Sequence, residues 1–149
     1  MNLPPYDKMK IRESSAGKPM VLDILRRRFV KLTPEEMVRQ YFINYLITYK
    51  GYPRSLMANE VELRVGEKRV RCDSLLYDRE LHPRMIIEFK APDINISEKV
   101  LNQILSYNIL LHVPYLIMSN GTQHVCLKLD TDNDEWQILP EIPDYGELC

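Results

Sequence analysis

The chain is predicted to fold as an α/β (α+β) domain: a mixed sheet flanked by helices, with an αβββαβ core and a C-terminal hairpin. Three observations carry this. Thr33-Pro34-Glu35-Glu36 is a strong helix start, and three short β-rich runs joined by turn-prone residues follow it. A second helix with an apolar stripe lies after Pro92. Beyond it, Tyr115-Leu116-Ile117-Met118 is a continuous apolar run, as expected of a strand buried on both faces. A meander, a crossover helix and a buried strand make a mixed sheet with helices packed on it.

Length and composition bound the function classes. The 149 residues are a single-domain length, so residues 1–149 are expected to form one unit. With 45% hydrophobic and 28% charged residues, the composition is that of an ordinary soluble protein. A net charge of -1 gives no overall basic footprint, so any grip on nucleic acid must come from a local patch. Cys72, Cys126 and Cys149 have neither CxxC spacing nor an even count, which fits neither a disulfide framework nor a zinc site. Pro4-Pro5 and charges stand where a signal peptide would need an apolar core, and no apolar run approaches membrane-spanning length. A cytoplasmic protein without membrane contact is expected.

Residues 1–19 mix Pro, Lys, Ser and Gly without periodicity and read as an extended arm with room for one short strand. Residues 21–30 give a strand-like lead-in containing Arg26-Arg27-Arg28, the densest basic cluster: a solvated segment, or else a phosphate-contacting patch. The first helix should start with Thr33 as N-cap, Pro34 at its first position and Glu36 closing a capping box, and should stop near Lys50 before Gly51 and Pro53. Val38, Tyr41, Phe42, Tyr45, Leu46 and Tyr49 supply its apolar face. Residues 53–59 read as a connection. Val61, Leu63 and Val65 then alternate inward, Gly66-Glu67-Lys68 turns the chain, and residues 71–77 and 85–92 complete a three-stranded antiparallel meander.

The second helix is expected from the N-cap Ser97 to about His112, with Val100, Leu101, Ile104, Leu105, Ile109 and Leu111 buried. Residues 115–118, 124–129 and 136–139 are the remaining strands.

The meander strands carry the chemistry. Alternation puts Met85, Ile87 and Phe89 on one face of the third strand and Ile86, Glu88 and Lys90 on the other. An acid and an amine at the end of an apolar strand are costly to bury unless paired or bound to an ion. On the neighbouring strand, Asp73 faces away from Cys72 and Ser74 and can lie across from Glu88. Two carboxylates and an amine thus converge. Taken alone such a set is a surface salt bridge or an ion site; as an ion site it suits Mg²⁺, which needs one or two carboxylates and keeps its waters, with the Phe89 carbonyl a third candidate oxygen ligand. Lys90 would orient a water or stabilise developing charge. Glu60 is most simply solvent-facing and a fallback ligand. His82, His112 and His124 have no metal spacing, and no Gly-rich phosphate loop is visible.

Asp73 followed by Glu88-Phe89-Lys90 resembles the signature of the PD-(D/E)xK nuclease superfamily. Gln103 and Tyr107, four apart on the following helix, resemble the Gln-xxx-Tyr element of RecB-type nucleases and of the N-terminal nuclease domain of type I restriction enzyme R subunits. The ordered set of Leu32-Thr33-Pro34-Glu35-Glu36, Arg39-Gln40, Tyr52-Pro53, Arg71-Cys72-Asp73, Glu88-Phe89-Lys90-Ala91-Pro92, Gln103 to Asn108 and Ser119-Asn120-Gly121 is similar to that restriction-subunit domain over nearly the whole chain. The resemblance implies a restriction-endonuclease-like fold and a Mg²⁺-dependent (Mn²⁺ substituting) DNA endonuclease. In it, Asp73, Glu88 and Lys90 are catalytic, Gln103 and Tyr107 assist, and Glu36 is an additional metal ligand. Arg39 and Gln40 would sit near the same mouth. R subunits are long chains with a helicase motor; here there is no P-loop, so a separate motor or specificity subunit, a homodimer, or solitary action is implied. The alternative is a non-catalytic nucleic-acid-binding or assembly module that retains the fold.

Overall fold

A small antiparallel sheet, a larger mixed sheet and two α-helices build the protein, and the larger sheet is sandwiched between the helices. The computed structural model describes residues 1–148, and for Tyr107, Ile109 and Leu110 it describes the backbone alone. A small sheet comes first, in the order β1 (Ile11–Glu13), β2 (Pro19–Asp23) and β3 (Arg28–Lys31). This corrects the expected extended arm and lead-in strand. Residues 21–30 are two strands and a turn, because the buried Asp23 carboxylate accepts from the Leu25 and Arg26 amides at 2.8 and 3.0 Å and folds the chain back on itself.

Helix α1 (Pro34–Tyr49) begins as expected: the Thr33 hydroxyl accepts from the Glu36 amide at 3.1 Å. The reciprocal half of the expected capping box is missing, since the Glu36 carboxylate turns to arginines instead. Gly51, at φ 72°, ends the helix, and the Tyr52 amide returns to the Leu46 carbonyl at 3.0 Å. Val38, Phe42, Ile43 and Leu46 are fully buried, whereas Tyr49, assigned to the apolar face, is exposed.

The second sheet has the order β4 (Met57–Val65), β5 (Lys68–Tyr77), β6 (Pro83–Phe89), β7 (Tyr115–Ser119), β8 (His124–Asp130) and β9 (Glu135–Leu139). Only β6 and β7 pair in parallel, joined through α2 (Glu98–Leu111), whose N-cap is Ser97. The meander, crossover helix and closing hairpin are therefore as expected, although β4 begins three residues earlier. Each central strand splits its side chains by period two. Met85, Ile87, Phe89, Tyr115 and Ile117 pack with α1, and Ile86, Leu116 and Met118 pack on the α2 side with Ile104. At roughly 2 kcal/mol for each fully buried large apolar side chain, these two half-cores dominate the drive to fold. No helix among the described residues is long and apolar enough to cross a membrane.

The alternation fails at one place. Cys72 and Leu75, three apart on β5, pack in the same α2-side cluster, which strict period two forbids. The partner strand shows the cause: Glu60, opposite Asp73, has φ 55°, a left-handed conformation uncommon for a residue with a side chain. From Ser74 onward β5 pairs with β6, the last partners being Ser74 and Ile87. Before that point the β4–β5 hairpin runs on alone, from Val61 opposite Cys72 to Val65 opposite Lys68. The sheet splits there, and the split creates a cleft.

Candidate active site

The cleft occupies about 640 Å³ between the free hairpin and α2, and its lining includes Arg69, Arg71, Cys72, Glu88, Lys90 and Gln103. Asp73 stands where the strands part. Its Oδ2 accepts from the Phe89 amide at 2.8 Å, so a side chain replaces the ladder bond that a continuing strand would have made. The register that sets Ser74 opposite Ile87 brings Asp73 across from Glu88, and the two acids are hydrogen-bonded. Burial pushes the Glu88 carboxyl up to about 9; the hydrogen bond and negative charge of Asp73 push the same way, and Lys90 opposes them only weakly. At neutral pH the Glu88 carboxyl therefore keeps its proton. The Cys72 thiol beside the two acids is pushed up to about 12 by burial and by both carboxylates, so at neutral pH it stays protonated.

Lys90 follows the end of β6, its amide held by the Ser119 carbonyl at 2.9 Å, and it lines the cleft with Glu88. Gln103 reaches the same cleft from α2 and is exposed. The Tyr107 side chain lies outside the described atoms. Among the described residues, no group of three or more His, Cys, Asp or Glu gathers as a metal cage.

Asp73 itself lines a second, smaller pocket of about 170 Å³, together with Glu36, Arg39 and Glu60. The Glu36 Oε1 accepts from Arg39 at 2.7 Å and Arg26 at 2.9 Å, and its Oε2 accepts from Arg39 at 2.7 Å and Gln40 at 3.2 Å. Both oxygens are thus taken by donors of the chain itself. Arg39 also donates to the Asp73 carbonyl at 2.8 Å and to Glu60 at 2.9 Å, while Glu60 accepts from Arg71 at 2.9 Å. Burial would push the Glu60 carboxyl up, but Arg39 and Arg71 hold it below the usual range. Glu60 is exposed, as expected, and is in addition an ion-pair partner of both arginines. One guanidinium ties α1 to the residue with the left-handed backbone and to the main chain of Asp73.

Sequence reasoning placed Arg39 and Gln40 near the mouth but missed this hub. The signal was available in part: Glu36, Arg39 and Gln40 are spaced three and four apart, so they share one helix side. Arg26, grouped with Arg27 and Arg28 as a solvated or phosphate-contacting cluster, instead pairs with Asp23 and with Glu36. Arg39→Met is expected to destabilise the protein by about 3–5 kcal/mol, because it strands the buried Glu36 carboxylate among fewer donors. A urea melt checks this, and a loss below 1 kcal/mol would show the hub to be dispensable.

Comparison with known proteins adds lineage to this geometry. No curated protein matches. Among solved structures, the chain is similar to a fragment assigned to the HsdR subunit of a type I restriction enzyme from Vibrio vulnificus YJ016, at 21% identity and a TM-score of 0.54. The match covers 78% of this chain and 24% of that one, so the likeness fixes the restriction-endonuclease-like fold and spans about a quarter of the relative. The family model described as type I restriction enzyme R protein N terminus (HSDR_N) matches residues 34–143, a stretch from the first residue of α1 to beyond β9, and the chain belongs to that family.

Proposed function

We propose that this domain is a PD-(D/E)xK nuclease that hydrolyses phosphodiester bonds in DNA with Mg²⁺ held at Asp73 and Glu88. The observation that supports this best is the pairing of Glu88, which lines the cleft with Lys90, with Asp73 across from it at the point where the strands part. Two acids this close cannot both ionise without cost, so the pair lacks a positive charge. The donor set fits a hard cation: two carboxylates and the Phe89 carbonyl offer oxygen only, which suits an ion that keeps several waters. Mn²⁺ should substitute. When bound, the ion neutralises the phosphate and acidifies a water.

The remaining roles belong to the chain. Asp73, fixed by the Phe89 amide at Oδ2 and by Arg39 at its carbonyl, gives the site its rigidity. Lys90 orients the attacking water or stabilises developing charge. Gln103 hydrogen-bonds within the cleft, and Tyr107 contacts a phosphate or stacks on an unpaired base. Glu36, with its oxygens engaged, serves as a strut for Arg39 and not as a metal ligand. The domain acts with a motor or specificity subunit, or as a homodimer. Incubation with supercoiled, linear and single-stranded DNA should give cleavage of at least one substrate in Mg²⁺ or Mn²⁺ and none in EDTA. If metal binds by calorimetry and nothing is cut, the non-catalytic module is the better account.

A further inference from the structure

The cleft has a second chemistry besides its acids. One wall is the free part of the β4–β5 hairpin, and Arg69 and Arg71 line it with side chains 60% and 76% exposed. Two apart on one strand and alternating with the buried Val70 and Cys72, they project from the hairpin face that carries Glu60 and Glu62, at the rim of the cleft, with about 6.7 Å between their Cα atoms. The floor, with Val70, Ile86 and Ile104, is apolar and offers an anion nothing. Among the described lining residues, the cations are Arg69, Arg71 and Lys90 and the one acid is Glu88. On a chain of net charge -1, this is a local basic patch of the kind an anionic polymer needs. The arginines have cross-strand partners, Glu62 at 3.9 Å and Glu60 at 2.9 Å. Exposed pairs of this kind are worth about 0–1 kcal/mol, so they leave the guanidiniums available to a phosphate that can be gripped by both forks.

We propose that the β4–β5 hairpin is the phosphate-binding lip of the site, with Arg69 and Arg71 gripping the backbone of a nucleic-acid strand whose neighbouring phosphodiester reaches Asp73 and Glu88. The fate of the strand rests on the nuclease reading; the grip does not. The backbone chemistry is shared by a free single strand and by one strand of a duplex, and counterion release separates them. Each lost contact lowers the slope of log K against log salt by about 0.7 for single strands and about 0.9 for duplex.

The test is fluorescence anisotropy of the full chain with labelled single-stranded and duplex oligonucleotides, titrated with KCl in EDTA so that nothing is cut. Arg69→Gln/Arg71→Gln should weaken binding, with a slope lower by about 1.4 if the bound strand is unpaired and about 1.8 if it is paired. Arg79→Gln, in the turn at the far end of β5, is the control and should change neither. Thermal melts establish that both variants fold. The proposal is overturned if wild type binds neither oligonucleotide, if the double variant keeps the wild-type slope, or if Arg79→Gln matches its loss. Lip-dependent binding without metal-dependent cutting would keep the lip and remove the nuclease reading. Cutting with an unchanged slope would do the reverse.

Discussion

Substitution of Asp73, Glu88 or Lys90 by alanine is expected to lower cleavage by about 10³-fold or more, with double variants little worse than single ones, because groups acting as one unit lose their effect together. Asp73→Asn is the cleaner variant at its position. Its amide oxygen can still accept from the Phe89 amide, which now bonds the carboxylate at 2.8 Å, while the charge is removed. Asp73→Ala loses that strand-closing bond as well and should also melt lower. The measurement is single-turnover cleavage beside a thermal melt for each variant. Near wild-type cleavage by any one of the three removes that residue from the catalytic unit.

How the fold and site emerge from the sequence can be argued strand by strand. Strands β6 and β7 were legible because both faces are buried, so period two sorts Met85, Ile87 and Phe89 from Ile86 and Glu88 without competition from solvent. That same register sets Asp73 across from Glu88, so the acid pair was legible too. The small N-terminal sheet was not. Strand β1 has three exposed residues and no apolar pattern, and the turn after β2 depends on a buried carboxylate satisfying backbone amides. The switch of faces at Glu60 was equally hidden. A left-handed glutamate is held by Arg39, 21 residues away in sequence, and no local propensity anticipates a constraint that arises in tertiary structure. The acid pair is therefore readable as two residues, while the split that opens the cleft beside Glu88 is not.

Stability should fall as pH rises, and a divalent ion should reverse the fall. The folded-state Glu88 carboxyl sits near 9, against 4.5 in an unperturbed chain. Below about pH 4.5 both states hold the proton, so Glu88 makes stability independent of pH there. Between 4.5 and 9 the folded state keeps a proton that the unfolded chain has released, and stability declines by up to about 1.4 kcal/mol per pH unit. Above 9 this slope ends. Glu88→Gln, neutral at every pH, should flatten the decline across that window. On the proposed reading Mg²⁺ should bind the pair only after the Glu88 proton leaves, so its stabilisation should grow from pH 5 towards pH 9. At a hundredfold excess over Kd it amounts to about 2.7 kcal/mol, roughly 5–10 °C in Tm for a chain of this size. KCl at matched ionic strength controls for screening, which relieves like-charge repulsion without a site. The increment should disappear in Asp73→Asn/Glu88→Gln. An increment independent of pH, or one that survives in that double variant, would place the ion elsewhere on the protein and detach the metal from the acid pair.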